Sequence, residues 1–420
     1  MDGASSCTRS ILHLTLLYAY ASILPDSQAS ALAESASARV VRGGCQTPAY
    51  RLISSDSHVY EPQDLWTSRV PAMFQDRAPR VLSQENGDWW YCDGRKVTGT
   101  AAGSQTGRRF EEPDALSRTD RFTHIRPGGY LPDARIEDMD LDGVAAEVVY
   151  PTVGFVLYNV VRDGQLLSAC FRAYNDWIAE FCSAYPQRLK GVALINLDEV
   201  QEGIAELQRA RHLGLVGALI PAYPWLERPY SGAEYAPFWA AAQDLGMPLG
   251  LHIATNRPGP DQLHGFQNVD TLSPAFLTNT DHWVRMSLAD IIFAGVFERY
   301  PQLKVGTVEQ ELSWIPHFLD RLDYTYTQRA RRDYWHRFQS ALLPSDFFRQ
   351  NVFCSFQEDV MGIRDRAIIG VDNLMWGSDY PHQESTWPKS REILDKILED
   401  VPEAEKVMIA GENVARLYQF

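Results

Sequence analysis

The sequence has few cysteines, and their spacing indicates neither a metal-binding pair nor a disulfide pattern. Six are scattered along the 420 residues, at Cys7, Cys45, Cys92, Cys170, Cys182 and Cys354. Because no C-x2-C pair occurs, the spacing argues against a zinc knuckle and a disulfide framework, and we expect structural thiols. No G-x-G-x-x-G or G-x4-G-K-[ST] motif follows a predicted strand, which argues against a dinucleotide-binding or P-loop fold.

Positive charge is scarce as well. The chain has 39 lysines and arginines against 54 aspartates and glutamates, which gives a formal net charge of −15. A surface of this sign repels phosphate backbones and anionic lipids. We therefore expect no nucleic-acid partner and no membrane partner, but a small-molecule substrate, and we allow for a homodimer.

Long hydrophobic runs are missing except near the N-terminus. Residues 11–24, ILHLTLLYAYASIL, are apolar but too short to span a bilayer. The Ala- and Ser-rich sequence that follows resembles a signal-peptidase site, so residues 1–38 are either an export signal or the tail of a cytoplasmic protein, and we favour the cytoplasmic interpretation. In both cases we predict an N-terminal extension over residues 1–48 and one catalytic domain over residues 49–420.

Eight short apolar runs alternate with helix-length segments from residue 50 onward. The runs are RLISS (51–55), AAEVVYPT (145–152), LKGVALINL (189–197), LVGALIPA (215–222), PLGLHIA (248–254), LKVGTVE (303–309), NVFCSF (351–356) and NLMWGSDY (373–380). Strands that alternate with helices form parallel sheets, and eight such units predict an α/β fold, a (β/α)8 TIM barrel. Two long irregular stretches, residues 60–133 and 255–283, predict insertions after strands 1 and 5 that serve as lids or binding loops.

Polar side chains stand at the ends of four of these runs. Strand 1 ends in Asp56 and His58, strand 5 in His252, strand 6 in Glu309 and strand 8 in Asp379. The carboxyl ends of the strands meet at one face of a parallel barrel, so we expect these side chains to converge. Imidazole and carboxylate ligands suit Zn²⁺, Mn²⁺ or a similar divalent ion. The sequence therefore predicts a metal site at this face.

Four segments resemble a known family. They are ISSDSHVYEPQDLW (53–66), LGLHIA (249–254), LKVGTVEQELSWIPHFLDRLD (303–323) and MWGSDYPHQESTWPKSREIL (375–394). They resemble the amidohydrolase-related branch of the amidohydrolase superfamily, which contains aminocarboxymuconate semialdehyde decarboxylase, resorcylate-type benzoate decarboxylases and metal-dependent hydrolases. The SDYPH motif followed by TWP is the most specific part. The resemblance implies a (β/α)8 barrel with one divalent ion.

The resemblance also implies roles for single residues. The metal ligands fall on Asp56, His58, His252 and Asp379, and Zn²⁺ is the expected ion, with Mn²⁺ as the alternative. At strand 6, where decarboxylases of the family place a catalytic histidine, this chain has Glu309, which could be a further ligand or a base. We take Asp379, Glu309 and His382 as the catalytic residues. His382 is either a group that orients the site or an exposed turn histidine.

Glu309 decides the functional prediction. Because it replaces the histidine of the decarboxylases, we predict a hydrolase that uses a metal-activated water on an amide, ester or lactone of a small cyclic or carboxylated substrate. The alternative is a non-oxidative decarboxylase of an aromatic or muconate-like acid. A third interpretation, from another class, is a barrel that binds a metal without turnover.

Overall fold

The computed structural model describes residues 50–117, 119–257, 274–329 and 336–420. Its strands are β1 Leu52–His58, β2 Arg80–Gln84, β3 Gly87–Cys92, β4 Arg95–Gly99, β5 Val144–Tyr150, β6 Leu189–Leu194, β7 Gly217–Ile220, β8 Leu249–His252, β9 Val305–Val308, β10 Val352–Phe356 and β11 Leu374–Trp376. Eight of them form one sheet in the order β1-β5-β6-β7-β8-β9-β10-β11, and β2, β3 and β4 form another. The predicted extension, residues 1–48, lies outside the described residues.

The eight-stranded sheet is parallel between every assigned pair of neighbours. Backbone hydrogen bonds join its two ends: the Asp379 N–H donates to the Asp56 carbonyl at 2.8 Å, and the His58 N–H donates to the Tyr380 carbonyl at 2.5 Å. All residues of β7, β8 and β9 are buried, as expected for strands covered on both faces. The prediction of a (β/α)8 barrel is confirmed.

Helices connect the strands and cover the outside of the barrel. Among the described residues they are α1 Leu65–Arg69, α2 Ala101–Ser104, α3 Pro132–Asp142, α4 Val153–Val160, α5 Gly164–Ser183, α6 Val200–His212, α7 Ala236–Asp244, α8 Pro274–Thr278, α9 His282–Phe293, α10 Val296–Arg299, α11 Ile315–Tyr324, α12 Pro344–Asn351, α13 Val360–Arg364, α14 Arg366–Ile369, α15 Ser390–Ile397, α16 Glu403–Val407 and α17 Asn413–Tyr418. In the part of the chain that the structure describes, no helix is long and apolar enough to cross a membrane.

The insertion after β1 is more regular than the sequence analysis expected. We expected an irregular stretch over residues 60–133, but β2, β3 and β4 form an antiparallel sheet there. Asp93 and Gly94 both have positive φ between β3 and β4, which is the backbone of a tight hairpin turn. In the sequence, the dipeptide Asp93-Gly94 after the aromatic Trp89 and Trp90 indicates this hairpin. Of the second insertion, residues 258–273 lie outside the described residues.

A buried ion pair fixes the start of the barrel. Arg135 of α3 is fully buried, and its Nε donates to Glu147 Oε2 of β5 at 2.6 Å. Its Nη1 donates to the carbonyl of His58, the last residue of β1, also at 2.6 Å. Each charge therefore has a partner in a medium where an unpaired charge is costly. One side chain of α3 thus holds the C-terminal end of β1 to the middle of β5.

We expect Arg135→Ala to lower the free energy of unfolding by about 3–5 kcal/mol, because Glu147 would stay buried without its partner. The control is Arg69→Ala, since Arg69 pairs with Glu180 in a contact whose side chains are 33% and 62% exposed. That change is expected to cost less than about 1 kcal/mol. Urea denaturation of both variants checks this, and equal costs would show that the Arg135 pair has no special structural role.

We also expect a chain without residues 1–45 to fold as the full chain does. All eight barrel strands and every proposed metal ligand lie beyond residue 49. Thermal unfolding of the shortened chain checks the expectation, which predicts an unchanged midpoint. A lower midpoint, or an insoluble product, would show that the extension contributes contacts to the fold.

Candidate metal centre and active site

Five predicted side chains converge at the C-terminal face of the barrel. His58 Nε2 lies 3.3 Å from Asp56 Oδ1 and 3.3 Å from Asp379 Oδ1. His252 Nε2 lies 3.6 Å from Asp56 Oδ1 and 3.3 Å from Glu309 Oε2. The two ring nitrogens, His58 Nε2 and His252 Nε2, are 3.2 Å apart. The strand ends thus bring together the side chains that the sequence analysis singled out.

The orientation of the two imidazoles leaves both Nε2 atoms free to bind a cation. His58 Nδ1 faces the carbonyl of Pro151 at 2.7 Å, and His252 Nδ1 faces the carbonyl of Ile253 at 2.9 Å. A carbonyl only accepts, so each Nδ1 carries a hydrogen. In the neutral rings, both Nε2 lone pairs then point at each other and at carboxylates, an arrangement that needs a positive charge between them.

Three carboxylate oxygens of the site lack hydrogen-bond donors. Asp56 Oδ1 and both oxygens of Asp379 are buried without a hydrogen-bond partner. One atom from each of Asp56, His58, His252 and Glu309 lies within 4.8 Å of the others, and the same holds for His58, Asp379 and His382. Buried oxygens without donors beside nitrogen lone pairs fit a divalent metal ion of the kind that carboxylates and imidazoles bind.

His382 is buried and belongs to the site. Its Nδ1 lies 2.8 Å from Asp379 Oδ1, and its ring stacks on His58 with 4.0 Å between centroids. Its Nε2 lies 2.8 Å from Thr152 Oγ1, whose hydroxyl donates to the Val59 carbonyl at 2.6 Å. His382 is therefore no exposed turn histidine, and the hydroxyl of Thr152 fixes the orientation of its ring.

Burial and mutual charge shift the pKa values of these groups in opposite directions. Burial raises the pKa of Glu309 and of Asp379 well above the usual range, and the charge of a neighbouring carboxylate adds to the effect in each case. For Asp56, burial also raises the pKa, but contact with His252 and His58 outweighs burial and holds the pKa below its usual value. Without another cation, the site thus favours the neutral, protonated forms of Glu309 and Asp379.

The pKa values of the two imidazoles, His58 and His252, also shift in opposite directions. Burial lowers the pKa of His58 to about 3, and the neighbouring His382 adds to this. Burial would also lower the pKa of His252, but the carboxylates of Asp56 and Glu309 raise it to about 9. His252 therefore pairs as a cation with these carboxylates when no other cation is present, and a metal ion would take the place of that proton.

The structure adds residues that the sequence analysis missed. Phe155 of α4 stacks on His252 with 4.9 Å between ring centroids and covers one side of the site. Thr152 and Arg135 orient His382 and the end of β1, and neither belongs to a motif that sequence reasoning uses. Glu61 bonds loop backbone: its two carboxylate oxygens accept the N–H groups of Val153 and Gly154 at 2.9 and 2.8 Å.

This chain matches a known protein family and is similar to several known enzymes. The family model described as amidohydrolase matches residues 122–420. The chain is 25% identical over 340 residues to gamma-resorcylate decarboxylase of Rhizobium sp. (strain MTP-10005), covering 74% of this chain and 96% of the relative. It is 23% identical over 266 residues to gamma-resorcylate decarboxylase of Polaromonas sp. (strain JS666), covering 60% and 78%. These relatives are decarboxylases, so our prediction of a hydrolase is wrong.

Solved structures share the fold. An amidohydrolase from Mycobacterium avium subsp. paratuberculosis superposes with a TM-score of 0.69 at 23% identity, over 88% of this chain and 99% of that one. A 5-carboxyvanillate decarboxylase from Novosphingobium aromaticivorans, with bound manganese, superposes with a TM-score of 0.63 at 19% identity, over 90% and 99%. The resemblance that the sequence analysis described is confirmed: the chain belongs to the amidohydrolase family and is an enzyme of the amidohydrolase superfamily.

Proposed function

We propose that this enzyme is a metal-dependent decarboxylase that releases CO₂ from an aromatic acid of the hydroxybenzoate type. The observation that carries the proposal is Asp379, a carboxyl group that is buried without a donor beside a metal-binding cluster. Decarboxylation replaces a carbon–carboxylate bond by a carbon–hydrogen bond, so a proton must reach the ring carbon. The match to gamma-resorcylate decarboxylases supports this reaction over others of the superfamily.

Asp56, His58, His252 and Asp379 are the proposed metal ligands. When bound, a divalent ion supplies positive charge that neutralises the carboxylates and polarises an oxygen of the substrate. Zn²⁺ was the ion expected from the sequence, and manganese is bound in two solved decarboxylases of this fold. Carboxylate and imidazole donors suit both ions.

The proton is held between Asp379 and His382. Because the Thr152 hydroxyl donates to Val59, it accepts from His382 Nε2–H. Nδ1 of the neutral ring can then only accept, so its 2.8 Å contact with Asp379 Oδ1 becomes a hydrogen bond when the Asp379 carboxyl is protonated. Asp379 then hands this proton to the ring carbon as the carbon–carboxylate bond breaks. His382 takes part as the acceptor that orients the protonated carboxyl of Asp379, since burial lowers the pKa of His382 to about 4 and keeps its ring neutral.

The surroundings of the site support an aromatic acid as substrate. Phe155 stacks on His252 and meets His58 edge-on, so an aromatic ring lies at the wall of the site. Arg109, from the insertion after β1, pairs with Glu358 and donates to the Ser385 carbonyl, and its charge also acts on Asp379. An aromatic wall and a cation beside the cluster suit an aromatic acid, and we propose that the insertion sets its specificity.

Metal dependence is the first test. We expect about one divalent ion per chain, and a chelator is expected to abolish CO₂ release that added Mn²⁺ or Zn²⁺ restores. His252→Ala is expected to lower metal affinity by at least about 10-fold, because it removes a ligand. His212→Ala, an exposed residue on α6, is the control and leaves affinity unchanged. Full activity of the metal-free protein would refute the account.

Asp379→Asn tests the proton transfer. We expect this variant to lose at least about 10²-fold in kcat for CO₂ release from 2,6-dihydroxybenzoate or a related acid, since the amide has no acidic proton to transfer to carbon. Asp320→Asn is the control, because the Asp320 side chain is 72% exposed on α11. In D₂O, the wild-type product is expected to carry one deuterium at the carbon that lost CO₂. Near wild-type turnover by Asp379→Asn would remove Asp379 from the reaction.

A further inference from the structure

Glu309 lies at the mouth of the cluster with one close partner. It follows β9 directly, and its Oε2 lies 3.3 Å from His252 Nε2. Its side chain is 22% exposed, whereas those of His58, His252, Asp56 and Asp379 are at most 4% exposed. Among the described residues, no hydrogen-bond donor other than the His252 ring reaches its carboxylate. The group therefore faces the cluster without a structural contact that explains it.

Distances place Glu309 in the same coordination sphere as three proposed ligands. Two ligands of one ion lie at most twice a bond length apart, which is about 4–4.6 Å for bonds of about 2.0–2.3 Å. The ligand atoms of Asp56, His58, His252 and Glu309 lie within 4.8 Å of one another, so shifts of a few tenths of an ångström would bring all four to one ion. Asp379 belongs to a second group, with His58 and His382, and its Oδ1 lies 3.3 Å from His58 Nε2. Glu309 thus lies in one group with Asp56, His58 and His252, and Asp379 reaches that group through His58.

The backbone of Glu309 resembles that of Asp379. Both residues follow a barrel strand, and both have positive φ, 62° for Glu309 and 60° for Asp379. Such a conformation is uncommon for a residue other than glycine and is found where a side chain is held for a function. The chain therefore presents two carboxylates to the cluster by the same local device, one on each side of β10.

We infer that Glu309 is a fifth protein ligand of the metal ion, in addition to Asp56, His58, His252 and Asp379. The inference rests on the proposed metal centre. Five protein ligands would exceed the four positions of a tetrahedral site and would suit a six-coordinate ion. We therefore expect the site to bind Mn²⁺ or a similar hard ion in preference to Zn²⁺.

A change at Glu309 can also lower metal affinity by removing a nearby negative charge, without the loss of a ligand. Glu384 provides the control for this effect of charge. Glu384 is exposed, and its negative charge acts on Asp379, Glu309 and His382. It belongs to neither group of ligand-capable atoms. Glu384→Gln therefore removes a nearby charge and no proposed ligand, whereas Glu309→Gln removes both.

The first experiment is calorimetric titration of metal-free full-length protein with Mn²⁺. We expect Glu309→Gln to lower Mn²⁺ affinity by at least about 10-fold, as the loss of a ligand does. Glu384→Gln is expected to lower it by less than about threefold, because its charge is screened by solvent. Equal losses in the two variants, or none in either, would overturn the inference.

The second measurement uses only the wild type, in case Glu309→Gln does not fold. The relaxation of water protons by bound Mn²⁺ counts the exchangeable waters on the ion. Five protein ligands predict one such water, and a count of two or more would contradict the inference. No substrate is present in either experiment. If the wild type binds no Mn²⁺, the proposed function fails with the inference; if it binds Mn²⁺ regardless of Glu309, only the inference fails.

Discussion

Negative charge concentrated in a buried volume is the constraint on which the functional end of this barrel depends. Asp56, Glu309 and Asp379 lie around two imidazole nitrogens that are 3.2 Å apart, and several of the carboxylate oxygens have no donor. In a medium of low dielectric such an assembly is stable only with a positive charge at its centre. A proton on His252 supplies part of that positive charge, and a divalent ion supplies more of it. The scaffold therefore favours a metal ion before any substrate binds.

The fold holds these groups through contacts that lie behind them. Arg135 joins the end of β1 to β5, and the carbonyls of Pro151 and Ile253 fix the two imidazoles. Thr152 does the same for His382. These contacts use backbone carbonyls and one buried ion pair, which are stiff partners. The site is thus oriented by the barrel itself.

Much of the fold and of the site was predictable, because continuous apolar strands and the polar residues at their ends are local patterns. The sequence placed Asp56, His58, His252 and Asp379 correctly at one face. It could not show that Thr152 touches His382, since these residues are far apart in the chain and neither forms a motif. The hydrolase prediction failed because one substitution, Glu309 for histidine, was weighed as a change of reaction. A carboxylate at that place is equally compatible with a changed metal site on an unchanged reaction.

The account depends most on the claim that the cluster is a metal centre. Crystals grown with Mn²⁺ and measured at the manganese absorption edge test this directly, because anomalous scattering locates the ion without reference to activity. We predict one anomalous peak per chain, within bonding distance of both His58 Nε2 and His252 Nε2, which is about 2.0–2.3 Å. The absence of a peak between these nitrogens, or a peak at another place in the barrel, would contradict the account.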